Sequence, residues 1–456
     1  MLKTGTSFVL AALLAAAPTL AATPAQIDGA KAMLGKSIAI PTVAGRGQVP
    51  VYAAYLAGEL KSAGFKDSEI SIEPLGETAS LILTWKGTGK KKLIVLNAHM
   101  DVVEAKREDW ERDPFVMAED GGYLFGRGIS DNKFDVVMLV QTLMSLKREG
   151  FKPSRDIVLF LTGDEETAQK TVAAIAPRYK DAAMVLNGDG GGGTLGADGK
   201  PLYYTMQTAE KTYADYKLTV TDPGGHSSAP RAENAILTLG AALKRIADAP
   251  FPAETSETTR AYFAASAKRT PGEAGEAMAR FAVNPNDTAA ADILAKYPEH
   301  IGTTRTTCVP TMINGGHAEN ALPQRAVANI NCRIFPGTAP EAVRQRLQQL
   351  AGDKVVVTLP EPFPQSSTSP LLPELDAALR KAVDGRAKGL SIIPSMSAGT
   401  TDSLFFRASG IPSYGVSGLF MKPDDEYAHG LNERVPVNAI GPALDHYRTL
   451  IVTLAR

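Results

Sequence analysis

His99 and Asp101 directly follow a short apolar run at 93–96, Glu165 and Glu166 follow another at 157–161, and Asp189 follows a third at 184–186. Runs this short, continuous and rich in branched residues read as strands buried on both faces. Ligands bind beyond the carboxyl ends of strands in open parallel sheets, so these side chains should converge. Asp131 joins them from Gly126-Arg127-Gly128-Ile129-Ser130-Asp131-Asn132-Lys133, where a glycine-rich loop enters an amphipathic stretch at about 132–147. Each residue has a plain structural reading. His99 alone reads as a satisfied structural histidine and Glu165-Glu166 as an acidic first turn facing a helix dipole. Asp131 alone reads as a turn or N-cap residue, and Asp189 before four glycines as a loop end. Their coincidence at corresponding strand ends favours a site. Carboxylates packed in one cleft repel unless cations neutralise them, which predicts a metal centre. Mixed imidazole and carboxylate donors favour zinc over magnesium or calcium, and cobalt or manganese would fit the same donors. With only Cys308 and Cys332 in the chain, neither a cysteine-based zinc site nor a disulfide framework is available.

The three apolar runs and the intervening helix predict βαβ units in an α/β fold, a mainly parallel sheet flanked by helices. From about Lys211 the pattern changes to alternation, with Tyr213, Tyr216, Leu218 and Val220 among polar neighbours. A helix near 234–247, strands near 304–313 and 326–335, a helix near 340–350 and a strand at 355–357 complete an α+β insert with an antiparallel sheet. Residues 251–303 read as an extra, mainly helical segment within it. The α/β pattern resumes after about 360, with a helix near 371–383, strands at 392–393 and 414–416, and a last helix from about 438. The organisation expected is a leader at 1–22, a catalytic domain in two parts at 23–210 and 361–456, and a lid-type domain at 211–360. Cys308 and Cys332 fall nearly opposite each other on a hairpin through the 315–323 connection, and an oxidising compartment would permit a bond.

His99-Met100-Asp101, Gly126-Arg127-Gly128 with Asp131 and Lys133, Asp164-Glu165-Glu166, Gly224-Gly225-His226-Ser227-Ser228 and His429-Gly430 resemble a known motif series. It is that of the metallopeptidase superfamily of glutamate carboxypeptidase, aminoacylase, acetylornithine deacetylase and succinyl-diaminopimelate desuccinylase. The 110–115 loop, the histidine-bearing lid motif and the long insert resemble the carboxypeptidase S branch in particular. The resemblance implies two zinc ions bridged by Asp131, with His99 and Asp189 completing one set of ligands and Glu166 and His429 the other. The family often has Glu where this chain has Asp189. Glu165 would be the general base, and Asp101 would hold the His99 imidazole in its tautomer. His226 would reach over the site and stabilise an oxyanion, its plain alternative being a turn histidine. In relatives this histidine often acts across a dimer interface, so a homodimer is a candidate assembly, although the 251–303 segment could cover that edge instead. Asn320 and Arg333 resemble the lid segment that binds substrate. Arg333 offers a planar fork for a carboxylate, or a partner across the lid sheet. Gly399-Thr400-Thr401-Asp402 resembles a loop lining the substrate pocket, with Gly399 and Thr400 as candidate substrate-binding residues, and a plain glycine turn explains it nearly as well.

Over 456 residues the chain is 44% hydrophobic and 21% charged, a soluble globular balance with length for at least two cores. A net charge of -1 gives no basic field for a phosphate backbone, so nucleic acid is not an expected partner. Lys3, an apolar run at 8–20 and the small residues Ala21 and Ala22 follow the order of a secretory signal. That run is short for a membrane span, an uncleaved anchor being the competing reading. The expectation is export, to the periplasm of a Gram-negative cell or otherwise to the medium, with no stable membrane association after cleavage. The substrate expected is a small peptide or an N-acyl amino acid. An exopeptidase and a deacylase would share this machinery, whereas a non-catalytic binding protein would lack a base, and Glu165 is present.

Overall fold

Residues 157–161 divide by period two, as the pleat of a strand requires. Ile157, Leu159 and Leu161 enter one apolar core while Val158 and Phe160 enter another on the opposite face. Ile94, Leu96 and Val95 divide in the same way. A computed structural model describes residues 21–361 and 363–456; the expected leader lies, apart from Ala21 and Ala22, outside the described residues.

The central strand Lys91–His99 runs parallel to Arg155–Thr162 on one side and to Met184–Asn187 on the other, and Met184–Asn187 runs parallel to Ser413–Gly415. These belong to a sheet of ten strands. Antiparallel Thr78–Trp85 and Ile70–Leu75 extend one side, and Pro201–Glu210, Gly192–Leu195, Phe420–Met421 and Ile392–Ser397 complete the other. Helices Pro24–Ile38, Lys133–Arg148 and Ile440–Leu454 contribute to the larger core, and Lys170–Ile175 with Ser403–Ala408 to the smaller. The fold is therefore the expected α/β layering.

The chain leaves the large sheet at Glu210 and enters the second one at Thr212. Four strands lie there in the order Thr307–Gly315, Arg325–Ile334, Thr212–Thr221, Val356–Thr358, all antiparallel. Ala214, Tyr216, Leu218 and Val220 pack with helices Ala235–Asp248 and Pro340–Ala351. Tyr213 and Asp215 consequently face the other way. Cys308 lies directly opposite Cys332 in register, and the two are bonded. The return crossing is tied to the outgoing one, since Ser366 N donates to Thr212 Oγ1 (2.8 Å) and Ser369 N to Thr208 O (2.8 Å).

Four short helices between Glu257 and Thr304 form a small core of their own around Phe263, Met278, Phe281 and Leu294. This insert does not cover the edge strand Thr307–Gly315, where Val309, Met312 and Ile313 are exposed. Its first helix, Glu257–Ser266, packs along Ile392–Ser397 of the large sheet, and Thr258 and Thr208 share a hydrogen bond of 2.7 Å. The expectation that it could mask the lid edge is corrected: the insert buries its apolar side chains in its own core and sets its first helix against the large sheet. Among the described residues no helix is long and apolar enough to cross a membrane.

Candidate active site

His99 is the last residue of its strand, Glu165 and Glu166 follow the strand ending at Thr162, and Asp189 lies two residues beyond the strand ending at Asn187. Parallel neighbours end on one side of a sheet, so the three loops meet. The geometry there is close. His99 Nε2 lies 2.9 Å from Asp131 Oδ1, and His429 Nε2 lies 3.3 Å from Asp131 Oδ2 and 2.8 Å from Glu166 Oε2. Single donor atoms of His99, Glu165 and Asp189 fall within 4.8 Å of one another, as do those of His99, Asp131 and Glu166. Asp131 thus turns one oxygen to each imidazole. Glu166 Oε1 is buried with no hydrogen-bond partner.

Burial raises the Glu165 and Asp189 carboxyls well above their usual range, and each gains from neighbouring negative charges. Hydrogen bonds to Asp131 and Glu166 raise His429 to about 10. His99 also rises, because its contacts with Asp101 and Asp131 outweigh the cost of burying the cation. The cluster therefore holds more anionic groups than its two imidazoles can balance. An orphaned carboxylate oxygen and a donor set of two imidazoles and four carboxylates fit a pair of divalent cations.

Asp101 contacts the His99 ring and also a neighbouring loop. Its carboxylate accepts from the backbone N–H of Glu165 (3.1 Å) and of Glu166 (3.0 Å), tying the end of one strand to the loop after the next. His99 Nδ1 approaches the Asp101 carbonyl oxygen at 3.1 Å and its carboxylate only at 3.5 Å. A carbonyl can only accept, so Nδ1 carries a proton; Nε2 donates to the Asp131 carboxylate when the ring holds a second proton and is open to a metal when it does not.

Two buried acids support the site: Glu433, which was not picked out from the sequence, and Asp402, which was picked out only as the end of the 399–402 loop. Glu433 accepts from Gly128 N (2.8 Å), Ser130 N (2.7 Å), Asp131 N (3.0 Å) and Arg127 Nη1 (2.8 Å), and so shapes the loop that carries Asp131. Gly128 is required there: its φ is +79°, and a Cβ would come within 2.3 Å of Val102. Asp402 is bonded to Thr162 Oγ1 behind the strand ends, and burial raises it to about 7. Neither role has local periodicity or spacing to mark it, because the partners lie hundreds of residues away.

A cavity of about 750 Å³ opens over the cluster, with Arg333, Gly399 and Thr400 in its wall. Arg333 Nη1 reaches Thr400 Oγ1 at 3.5 Å, and its guanidinium stacks 4.8 Å from the ring centre of Tyr213, its cross-strand neighbour. Nearby Asp215 is already taken by Tyr213 Oη and by Asn329 and Asn331. The Gly399–Thr401 turn is held from behind, since Thr401 N and Oγ1 both donate to Glu210 Oε2 (2.8 Å each) and Glu210 pairs with Arg407 at 2.7 Å. His226 and Asn320 do not join this wall. His226 pairs with Ala321 in a separate two-stranded ribbon, Ser227 N donates to Asn320 O (2.9 Å), and His226 is exposed. The expectation that His226 reaches over the site is not met within one copy of the chain.

Acids and imidazoles drawn together at the ends of parallel strands, beneath a second domain, are the arrangement of a metal-dependent hydrolase. Residues 95–453 match the peptidase family M20/M25/M40, and the chain belongs to that family of metal-dependent peptidases and amidohydrolases. It is 30% identical over 406 residues to an N-fatty-acyl-amino acid synthase/hydrolase PM20D1 of Xenopus tropicalis, covering 85% of this chain and 77% of that one. It is 27% identical to a probable carboxypeptidase S-like protein of Dictyostelium discoideum, over 82% of this chain and 74% of the other. In fold it resembles the M20 family metallo-carboxypeptidase Sso-CP2 of Sulfolobus solfataricus, with a TM-score of 0.71, 18% identity, and coverage of 93% of this chain and 99% of that one.

Proposed function

We propose that this protein is a two-zinc exopeptidase of carboxypeptidase type, cleaving the amide bond beside a free carboxylate. The observation that carries this reading is Arg333, a guanidinium in the cavity wall above the acidic cluster, engaged by a hydroxyl and an aromatic face. Asp131 would bridge the two cations, with His99 and Asp189 on one and Glu166 and His429 on the other; cobalt or manganese would suit the same donors. Bound there, the cations would polarise the scissile carbonyl and lower the pKa of an attacking water. Glu165, beside the cluster with Gln169 Nε2 donating to it at 3.0 Å, would accept a proton from the water and return it to the leaving nitrogen. Arg333 orients the substrate carboxylate so that the amide meets Glu165, while the Thr400 hydroxyl, donating to Lys211 O at 3.0 Å, accepts from Arg333 and steadies the guanidinium.

The test is a matched pair of substrates. Amidating the carboxylate leaves a desolvated guanidinium poorly paired, a loss of several kcal/mol in such sites. The free acid should then show kcat/KM at least about a hundredfold above the amide, at tenfold per 1.4 kcal/mol. Arg333→Ala should shrink that ratio by slowing the acid. Equal kcat/KM for acid and amide in the wild type would refute the reading. A second reading, deacylation of N-acyl amino acids, is favoured by the name of the Xenopus tropicalis relative. Assaying dipeptides against N-acyl amino acids separates the two.

A homodimer and an exported location belong to the same proposal. Among the described residues the lid strand Thr307–Gly315 has no partner on its outer side and carries exposed Val309, Met312 and Ile313, a surface suited to a second copy that would bring in His226. Met312→Lys should then shift sedimentation from dimer to monomer, and a monomeric wild type would refute the dimer. Export is supported by the signal-like order of the N-terminal residues and by the Cys308–Cys332 bond, a pairing favoured outside the cytoplasm. Retention of tagged full-length protein in the cytoplasm would refute it.

A further inference from the structure

The cavity wall next to Arg333 is aromatic. Tyr213, with the guanidinium 4.8 Å from its ring centre, packs against Phe363 at 5.4 Å between centroids, and Phe363 against Phe405 at 6.2 Å. All three rings line the cavity and none is fully buried. They come from three separate parts of the chain: the face of the lid sheet turned away from its core, the return crossing between the domains, and the helix Ser403–Ala408. On that helix Phe406 fills the core beneath the sheet while Phe405, its neighbour, is turned to the cavity. Aromatic surface left open to water is unfavourable, and a ligand that covers it recovers that loss.

We infer that the substrate's carboxylate-bearing residue has a large apolar side chain, aromatic by preference, which lies against Tyr213, Phe363 and Phe405. This rests on the reading that Arg333 takes the carboxylate. A side chain on the carbon next to that carboxylate starts beside the guanidinium, whose neighbours in sequence of contact are Tyr213, Phe363 and Phe405. The cavity has the volume for it, at about 750 Å³, well within the range of pockets that enclose drug-sized ligands. The charged groups facing the same space sharpen the selection. Asp215 and Glu361 line the cavity beside the rings, and Asp215 is held as a carboxylate by Tyr213 Oη, Asn329 and Asn331. An acidic side chain would meet two negative charges there, and its own charge would lose water against the rings. Lys170, a further cation lining the cavity, opens the helix Lys170–Ile175 and, among the described residues, makes no cation–ring pair with the three rings.

The experiment varies the side chain while keeping the carboxylate. Zinc-loaded enzyme is assayed on Gly-Xaa dipeptides and N-acetyl-Xaa acids with Xaa as Phe, Leu, Ala, Glu and Lys. A single methylene in an apolar pocket is worth about tenfold or more, so Phe should exceed Ala by at least about tenfold in kcat/KM, with Leu between them and Glu lowest. Phe363→Ala and Phe405→Leu should each reduce the Phe-to-Ala ratio severalfold. Phe363 lies in a partly exposed segment, so its variant keeps the test alive if the Phe405 variant folds poorly. Calorimetry with free Phe, Ala and Glu gives a measure independent of turnover, with Phe expected to bind about tenfold tighter than Ala. Equal values for Phe and Ala by both measures, or a preference for Glu or Lys, would overturn the inference. Equal rates for acid and amide sink the role of Arg333. A flat side-chain series with acid preference intact sinks only the aromatic wall.

Discussion

Glu165 accepts a hydrogen bond from Gln169 Nε2 at 3.0 Å and lies within reach of His99 and Asp189 without pairing directly to either imidazole. That position suits a group that moves a proton. Glu165→Gln should therefore keep the fold and the metal content while lowering kcat by about a hundred- to ten-thousandfold, the usual worth of general-base catalysis. Elemental analysis and turnover on the same preparation check it, and near-normal turnover in metal-replete variant would end the assignment. His99, Asp131, Glu165, Glu166 and Asp189 were legible because each follows an apolar run or a glycine loop that fixes where it must lie. His226 and Asn320 were legible only as types. A glycine-rich turn reveals that a histidine is presented, but not to which surface, and the structure presents it to solvent.

At the scale of elements, strands buried on both faces announced themselves as unbroken apolar runs, and the alternating strands of the second sheet by their period. Ile70–Leu75 and Gly192–Leu195 did not, because an edge strand with mostly exposed side chains and a strand opening on two glycines lack either pattern. Nor could sequence show that the loop of Asp131 is shaped by Glu433, since the contact spans about three hundred residues and leaves no local trace. Glu433→Gln tests that contact. The amide keeps one accepting oxygen but gives the loop's three backbone donors and Arg127 too little to bond to, which frees Asp131 to shift. Loss of groups that orient a ligand commonly costs about ten- to a hundredfold in metal affinity. Zinc titration against a competing chelator should show that loss, and wild-type affinity would mean that the loop holds its shape without the charge.

The whole molecule was legible as a parallel α/β body interrupted by an antiparallel one, because the two patterns follow each other along the chain. Where the helical insert would dock was not legible. Its apolar face defines a core without naming a partner, and only the structure shows its first helix against Ile392–Ser397. The C-terminal helix Ile440–Leu454, packed in the main core, carries a buried group whose protonation bears on the stability of the entire fold. His446 is stacked 5.5 Å from Tyr204, its Nε2 reaches Val416 O at 3.1 Å, and its Nδ1 has no partner. Burial lowers its pKa to about 4, from an ordinary 6.5. Between those values the unfolded chain binds a proton that the folded chain refuses, so stability falls as pH drops from about 6.5 to 4 and is unaffected above. The gap is about 2.5 pKa units, or about 3 kcal/mol at most. For a chain of this length that is about 3 °C in melting temperature. Many carboxylates also titrate in this window, so the readout is the difference between wild type and His446→Phe, both stripped of metal by chelator. The variant keeps an apolar ring against Tyr204 but cannot take a proton. Its melting temperature should gain about 3 °C on the wild type between pH 7 and pH 4, whereas a constant difference across that range would show that His446 takes up its proton without cost to the fold.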